Sequence, residues 1–229
     1  MSNIKDLSLG DIVSDDFRTA SIFTQHHIDF CCGGKMSLSE ACTKEGVNLE
    51  KICREIEDLT FEAPDHSQNF KEWDPGFLCD YIVNTHHKFV QKHLPELRFY
   101  TQKISDVHGD AHAELKQIAE IFAKVYDELI QHLKNEEEVL FPAIKKALAS
   151  KDEASVKVIH SEIERMNGEH EFAGGSMDEI SRLSKRYELP KDACQTYELC
   201  YKLLEKFEND LHIHVHLENN ILFPKALKL

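Results

Sequence analysis

One segment occurs twice in this chain. HLKNEEEVLFPAIKKAL begins at His132 and HVHLENNILFPKALKL begins at His214, 82 residues later. In each copy a His is followed four residues on by Glu, giving His132/Glu136 and His214/Glu218, and four further on by Leu-Phe-Pro. Residues i and i+4 of a helix lie ~40° apart around the axis and ~6 Å apart along it, so each His and Glu share a face. The repeat extends backwards, because His87 precedes His132 by 45 residues and His170 precedes His214 by 44. His87 is preferred to its neighbour His86 on that spacing. Each half then reads as a helical hairpin offering one His from its first helix and a His/Glu pair from its second.

The rest of the pattern agrees with long helices. The chain has 229 residues with only 9 Gly and 6 Pro, and from Gly76 onward apolar residues recur at a period near 3.6. The spacing predicts four helices at about 76–106, 112–148, 152–187 and 191–227, with short breaks that favour an up-down-up-down bundle. A small helical domain is expected over 1–61, a polar linker over 62–75 and the bundle over 76–229. Within the small domain Asp15 or Asp16 is a candidate helix cap, Gly33-Gly34 a candidate helix end, and Ser37 with Glu40 a capping box.

Imidazoles and carboxylates on the buried face of a bundle cost several kcal/mol each unless something compensates them. Bound cations do so. A single His-x-x-x-Glu is ordinarily a surface pair worth a few tenths of a kcal/mol. Two copies with a shared Leu-Phe-Pro and matched upstream His need another explanation. Six residues therefore form the expected metal set: His87, His132, Glu136, His170, His214 and Glu218. Mixed nitrogen and oxygen donors without thiolate suit iron, with manganese or zinc as alternatives, and argue against structural zinc. None of the 14 His has Glu three residues before it, so the ferritin-like motif is absent, as is His-Glu-x-x-His. His216 aligns with Lys134 of the first copy and is expected to face outward. Glu137, Glu138, Glu169 and Glu171 point ~100° or more from the adjoining candidate ligands, so each supports a ligand from behind at best, and solvent is the favoured environment.

The formal charge is −14, which leaves no basic footprint for nucleic acid. The N-terminus shows no signal-peptide pattern, and no stretch reaches the ~18 apolar residues of a membrane span. The 7 Cys have no framework spacing, and a bond between adjacent Cys31 and Cys32 is strained, so free thiols in a reducing cytoplasm are expected. Cys42, Cys53, Cys79, Cys194 and Cys200 fall in helical patterns and read as inert core thiols.

These residues resemble the hemerythrin-like family, whose signature includes His-x-x-x-Glu before Leu-Phe-Pro. The stretch QHHIDFCCGGKMSLSEAC is similar to the small N-terminal domain of the iron–sulfur cluster repair di-iron proteins, which precedes a hemerythrin-like domain there too. The resemblance covers nearly the whole chain. It implies that the six residues above hold two irons, with Glu136 and Glu218 bridging them beside an oxo or hydroxo group. It also implies a cytoplasmic stress protein, often dimeric, that restores clusters damaged by nitric oxide or oxidants. Cys31 and Cys32 then take a thiol or iron-transfer role, and damaged iron–sulfur proteins are the partners. Oxygen-carrying hemerythrin has a further His four residues from the one matching His170; here those positions are Met166 and Gly174. A missing imidazole favours binding of a small molecule such as nitric oxide or oxygen, or iron release, over oxygen storage. Two rival readings are a di-iron nitric oxide reductase and an oxygen or nitric oxide sensor. The first lacks a flavin or nucleotide motif to deliver electrons, and the second lacks an output domain, so an iron donor is preferred to a catalyst.

Overall fold

The computed structural model describes residues 4–60, 68–150 and 153–229. Residues 62–67 of the expected linker lie outside them. The chain is all-α; among the described residues there is no strand, only an isolated antiparallel bridge between Ser8 and Ser37. It divides into two compact units, one of residues 1–79 with 212–229, the other of residues 80–211.

The larger unit is built on apolar stripes that lead to the candidate ligands. Helix α6 (Lys88–His108) buries Val90, Leu94, Leu97, Thr101 and Ile104, a three-four spacing that continues from His87. Helix α7 (Glu114–Asn135) buries Leu115, Ile118, Phe122, Val125 and Leu129 on the line that ends at His132. Helix α9 (Glu153–Leu183) buries Ile159, Ile163, Met166, Ala173, Met177 and Ile180 around His170. Helix α10 (Gln195–His216) buries Tyr197, Cys200, Leu204, Phe207 and Leu211 on the stripe that carries His214. Each apolar side chain taken from water stabilises the bundle by about 1.5–3 kcal/mol, and this compensates the polar groups held on the same faces. Phe207 of α10 meets Phe122 of α7 edge-on at 5.8 Å and stacks on Phe89 of α6 at 6.4 Å.

The Leu-Phe-Pro motifs act on the backbone rather than ending the helices. Proline lacks an N–H and its ring clashes with the carbonyl four residues back. The chain accommodates this by widening one turn just before each proline. Residues Glu136–Leu140 form a π turn, with the Phe141 N–H donating to the Glu136 carbonyl, and helix α8 (Phe141–Ser150) follows. Residues Leu217–Leu222 form another, with the Phe223 N–H donating to the Glu218 carbonyl, before α11 (Phe223–Ala226). A third π turn, Val83–His87, joins α5 (Pro75–Ile82) to α6. All three carry a candidate ligand, consistent with the habit of π turns to occur at functional sites.

Helix α9 stops at Leu183, earlier than the expected 187, because Lys185, Arg186 and Tyr187 are left-handed with φ of 52°, 61° and 60°. That conformation costs a non-glycine residue about 1–2 kcal/mol, so the buried Tyr187 side chain must anchor the turn.

The smaller unit packs α1 (Leu9–Asp15), α2 (Thr19–Gln25), α3 (Leu38–Glu45) and α4 (Leu49–Thr60) around Leu9, Phe23, Phe30, Leu38 and Ile52. The expected Ser37–Glu40 capping box is present at α3. Gly33-Gly34 does not end a helix, since α2 finishes at Gln25 and His27 takes the left-handed position at φ 54°. No described helix is long and apolar enough to cross a membrane.

Candidate metal centre

In the larger unit the stripes of α6, α7 and α9 bring four of the six expected residues together. His87 and His132 each place Nε2 at 3.3 Å from Oε2 of Glu136. His170 Nε2 lies 3.2 Å from His132 Nε2. His87 and Glu136 are wholly buried, and His132 and His170 are 1% exposed. His86 turns away, with Nδ1 at 3.1 Å from Asp210.

Two carboxylates fix the protons. His87 Nδ1 is 2.8 Å from Glu137, and His132 Nδ1 is 2.7 Å from Glu169. A carboxylate at that position accepts the Nδ1–H, which leaves the Nε2 lone pair aimed inward. The bond from His132 in turn holds the Glu169 carboxyl below its usual range. Of the two environments open to Glu137 and Glu169, the structure shows the supporting one rather than solvent. Each diverges from the ligand on its own helix and so reaches a ligand on another. The Phe141 ring stacks on His87 at 5.7 Å.

This donor set fits a metal ion. Two ligand atoms about 2.1 Å from one ion and about 100° apart sit about 3.2 Å from each other. Neither oxygen of the buried Glu136 accepts a hydrogen bond, and the Nε2 atoms of His132 and His170 face each other. A cation relieves both conditions. Among these residues no thiolate competes, which is the donor chemistry of iron rather than of structural zinc. Met166 and Gly174, four residues either side of His170, are buried and supply no ligand.

In the smaller unit His214 Nε2 lies 3.1 Å from Glu218 Oε1, with 1% and 0% of each exposed. His216 does not face outward as the repeat suggested. It is fully buried, edge-on to Phe30 at 5.6 Å, and burial lowers its pKa to about 4. Cys31 is buried and Cys32 half-buried, with their sulfurs 3.9 Å apart. Asp29, which the sequence did not single out, organises this loop: its carboxylate accepts the N–H groups of Cys31, Cys32 and Gly33. The hydrogen bond to the Cys32 sulfur, then burial and the Asp29 charge, push the Cys31 thiol well above its ordinary pKa. Cys42, Cys53, Cys79 and Cys200 are buried as expected. Cys194 is not; it is exposed just before α10, its sulfur 3.2 Å from His108 Nε2, and backbone N–H groups of the first turn with His108 lower its pKa.

Residues 80–226 match the hemerythrin HHE cation-binding domain, and the chain belongs to that family. Residues 5–60 match ScdA_N, a domain of unknown function. The relatives include proteins named iron–sulfur cluster repair protein YtfE from Yersinia pseudotuberculosis serotype O:1b (strain IP 31758) and from Yersinia pestis (strain Pestoides F). Each is 32% identical over 221 residues, 96% of this chain and 96% of the relative.

Proposed function

We propose that this chain is a cytoplasmic iron–sulfur cluster repair protein that carries two irons and supplies iron to clusters damaged by nitrosative or oxidative stress. His87, His132, Glu136 and His170 of the larger unit and His214 and Glu218 of the smaller one would hold the irons, with the two glutamates as bridges. The family matches over 5–60 and 80–226 support a thiol domain at 1–61 and a metal-binding domain at 76–229, with 62–75 between them as the linker. The observation that carries this reading is one chain bearing a buried, thiol-free His/Glu set and a separate Cys-Cys loop. Support also comes from the repeat, which pairs the two halves of the set, and from relatives named for cluster repair over 96% of their length.

Bound iron supplies a redox-active ion that can leave. The protein's part is to hold the imidazoles unprotonated at Nε2 through Glu137 and Glu169, to keep water from a buried donor set, and to present thiols. Thiolates are the ligands iron has in clusters, so Cys31 and Cys32 are placed as the groups that receive iron or touch the damaged cluster.

Iron-loaded protein, mixed anaerobically with a [4Fe–4S] dehydratase damaged by nitric oxide, is expected to restore its activity beyond what an equal amount of free ferrous iron does. The Cys31→Ser, Cys32→Ser double variant should keep its iron and fail to restore the enzyme. Equal restoration by that variant removes the thiols from the mechanism. Steady consumption of nitric oxide with an electron donor, without restoration, favours the reductase reading.

Glu169→Ala separates orientation from ligation. With the acceptor of His132 Nδ1–H gone, metal affinity is expected to fall about 10–100-fold in a chelator competition, with helix content unchanged. An unaltered affinity would show that Glu169 is surface charge only.

A further inference from the structure

The Cys31–Cys32 loop is gripped by one side chain. Asn220 Nδ2 lies 3.2 Å from the carbonyl oxygen of Phe30, 3.2 Å from that of Cys31, and 3.1 Å from His216 Nδ1. An amide nitrogen has two hydrogens, one for each of these carbonyls, and the His216 ring nitrogen lies beside them. The amide sits in a slot made by two glycines. A Cβ on Gly10 would come within 2.6 Å of Asn220 Oδ1, and a Cβ on Gly34 within 2.6 Å of the same atom and 2.8 Å of the Phe30 carbonyl. The Gly10 N–H donates to the Gly34 carbonyl at 2.8 Å, which closes the slot. Neither glycine has a positive φ, so close approach, not backbone freedom, accounts for them.

The repeat shows that this grip is an addition to the ligand helix. In the first copy the matching positions are Lys134 and Glu138, both exposed. In the second copy they are His216 and Asn220, one buried and one half-buried against the Cys-Cys loop. Asn220 also belongs to the π turn Leu217–Leu222 that carries Glu218, two residues away.

We propose that Asn220 is a positioning residue that seats the Cys31–Cys32 loop on the ligand-bearing turn, so that filling of the metal centre sets the accessibility of the thiols. This rests on Glu218 being a metal ligand. With a cation bound, the charge of the buried Glu218 is compensated and the π turn is held in shape. When iron leaves, that buried charge favours rearrangement of the turn, and Asn220 moves with it. The carbonyls of Phe30 and Cys31 then lose their donor and the loop loosens. The thiols become more open as iron departs.

The test is anaerobic alkylation of the full chain by iodoacetamide, read cysteine by cysteine by mass spectrometry, with exposed Cys194 as the internal reference. Iron stripping of the wild type is expected to speed labelling of Cys31 and Cys32 about fivefold or more, within the usual range of coupling between sites. Asn220→Asp keeps the shape but cannot donate to the carbonyls, so its iron-loaded form should label as fast as stripped wild type. Its iron content and circular dichroism should match the wild type. Gly10→Ala, which crowds the amide out of its slot, should behave the same way. Equal labelling of loaded and stripped wild type, with iron content verified, overturns the coupling alone. A wild type that retains no iron overturns the metal reading and the coupling with it. If loaded Asn220→Asp stays as protected as loaded wild type, the grip is packing and the proposed role is wrong.

Discussion

Glu136→Ala and Glu218→Ala are each expected to lower iron content from about two per chain to well under one, with loss of the optical and Mössbauer signature of a coupled pair. The reason is position. Glu136 is wholly buried and its Oε2 stands 3.3 Å from an imidazole nitrogen of α7 and from His87 just ahead of α6. A carboxylate placed between donors from two segments can serve two ions, so its removal weakens both. Glu218, equally buried, occupies the matching place in the second copy. Stability should separate this role from packing. In metal-free protein the buried carboxylate of Glu136 is a cost, so Glu136→Gln should melt no lower than metal-free wild type. With iron present the order should reverse, because the wild type gains binding energy that the variant lacks. Two irons retained in either alanine variant would sink the bridged site.

Much of the candidate centre was legible because its residues obey the same period as the core. His132 and Glu136 continue the stripe of Leu115, Ile118, Phe122, Val125 and Leu129, so the period that buries the core also places these two on its face. The carboxylates behind the ligands were not legible. Glu169 reaches His132 from α9, and Glu137 reaches His87 beside α6, and no spacing within one helix reports a contact between two. Judged by its own helix, each pointed away from the adjoining His or Glu, and the partner it would support on another helix was not readable. His216 failed for a related reason. The repeat aligned it with exposed Lys134, but Phe30 covers the second copy, and a local repeat carries no record of a distant covering segment. Cys194 followed a helical pattern that begins only at Gln195, one residue too late to bury it. The left-handed run Lys185–Tyr187 has no Gly or Asn to announce it; the burial of Tyr187 imposes it from outside the segment.

Glu208→Gln is expected to remove most of a pH dependence of stability that the metal centre does not cause. Glu208 is 9% exposed on α10. Burial, reinforced by the negative charges of Asp178 and Glu205 and opposed by the Tyr187 hydroxyl, raises its pKa from 4.5 to about 7. Between about pH 4.5 and 7 the folded chain holds a proton on this group that the unfolded chain has lost, so stability falls as pH rises through that window. Below it the group makes no difference between the two states. Above it the folded chain carries a buried carboxylate, at a cost of about 3 kcal/mol by the usual 1.36 kcal/mol per pKa unit. Glutamine keeps the shape and takes no charge. Chelator-treated Glu208→Gln should therefore melt close to wild type at pH 5 and several degrees higher at pH 8, since about 1 kcal/mol is worth about 2–4 °C in a chain of this size. Parallel melting curves for wild type and Glu208→Gln across this range would mean that water reaches the carboxylate and that its burial on α10 does not set its charge.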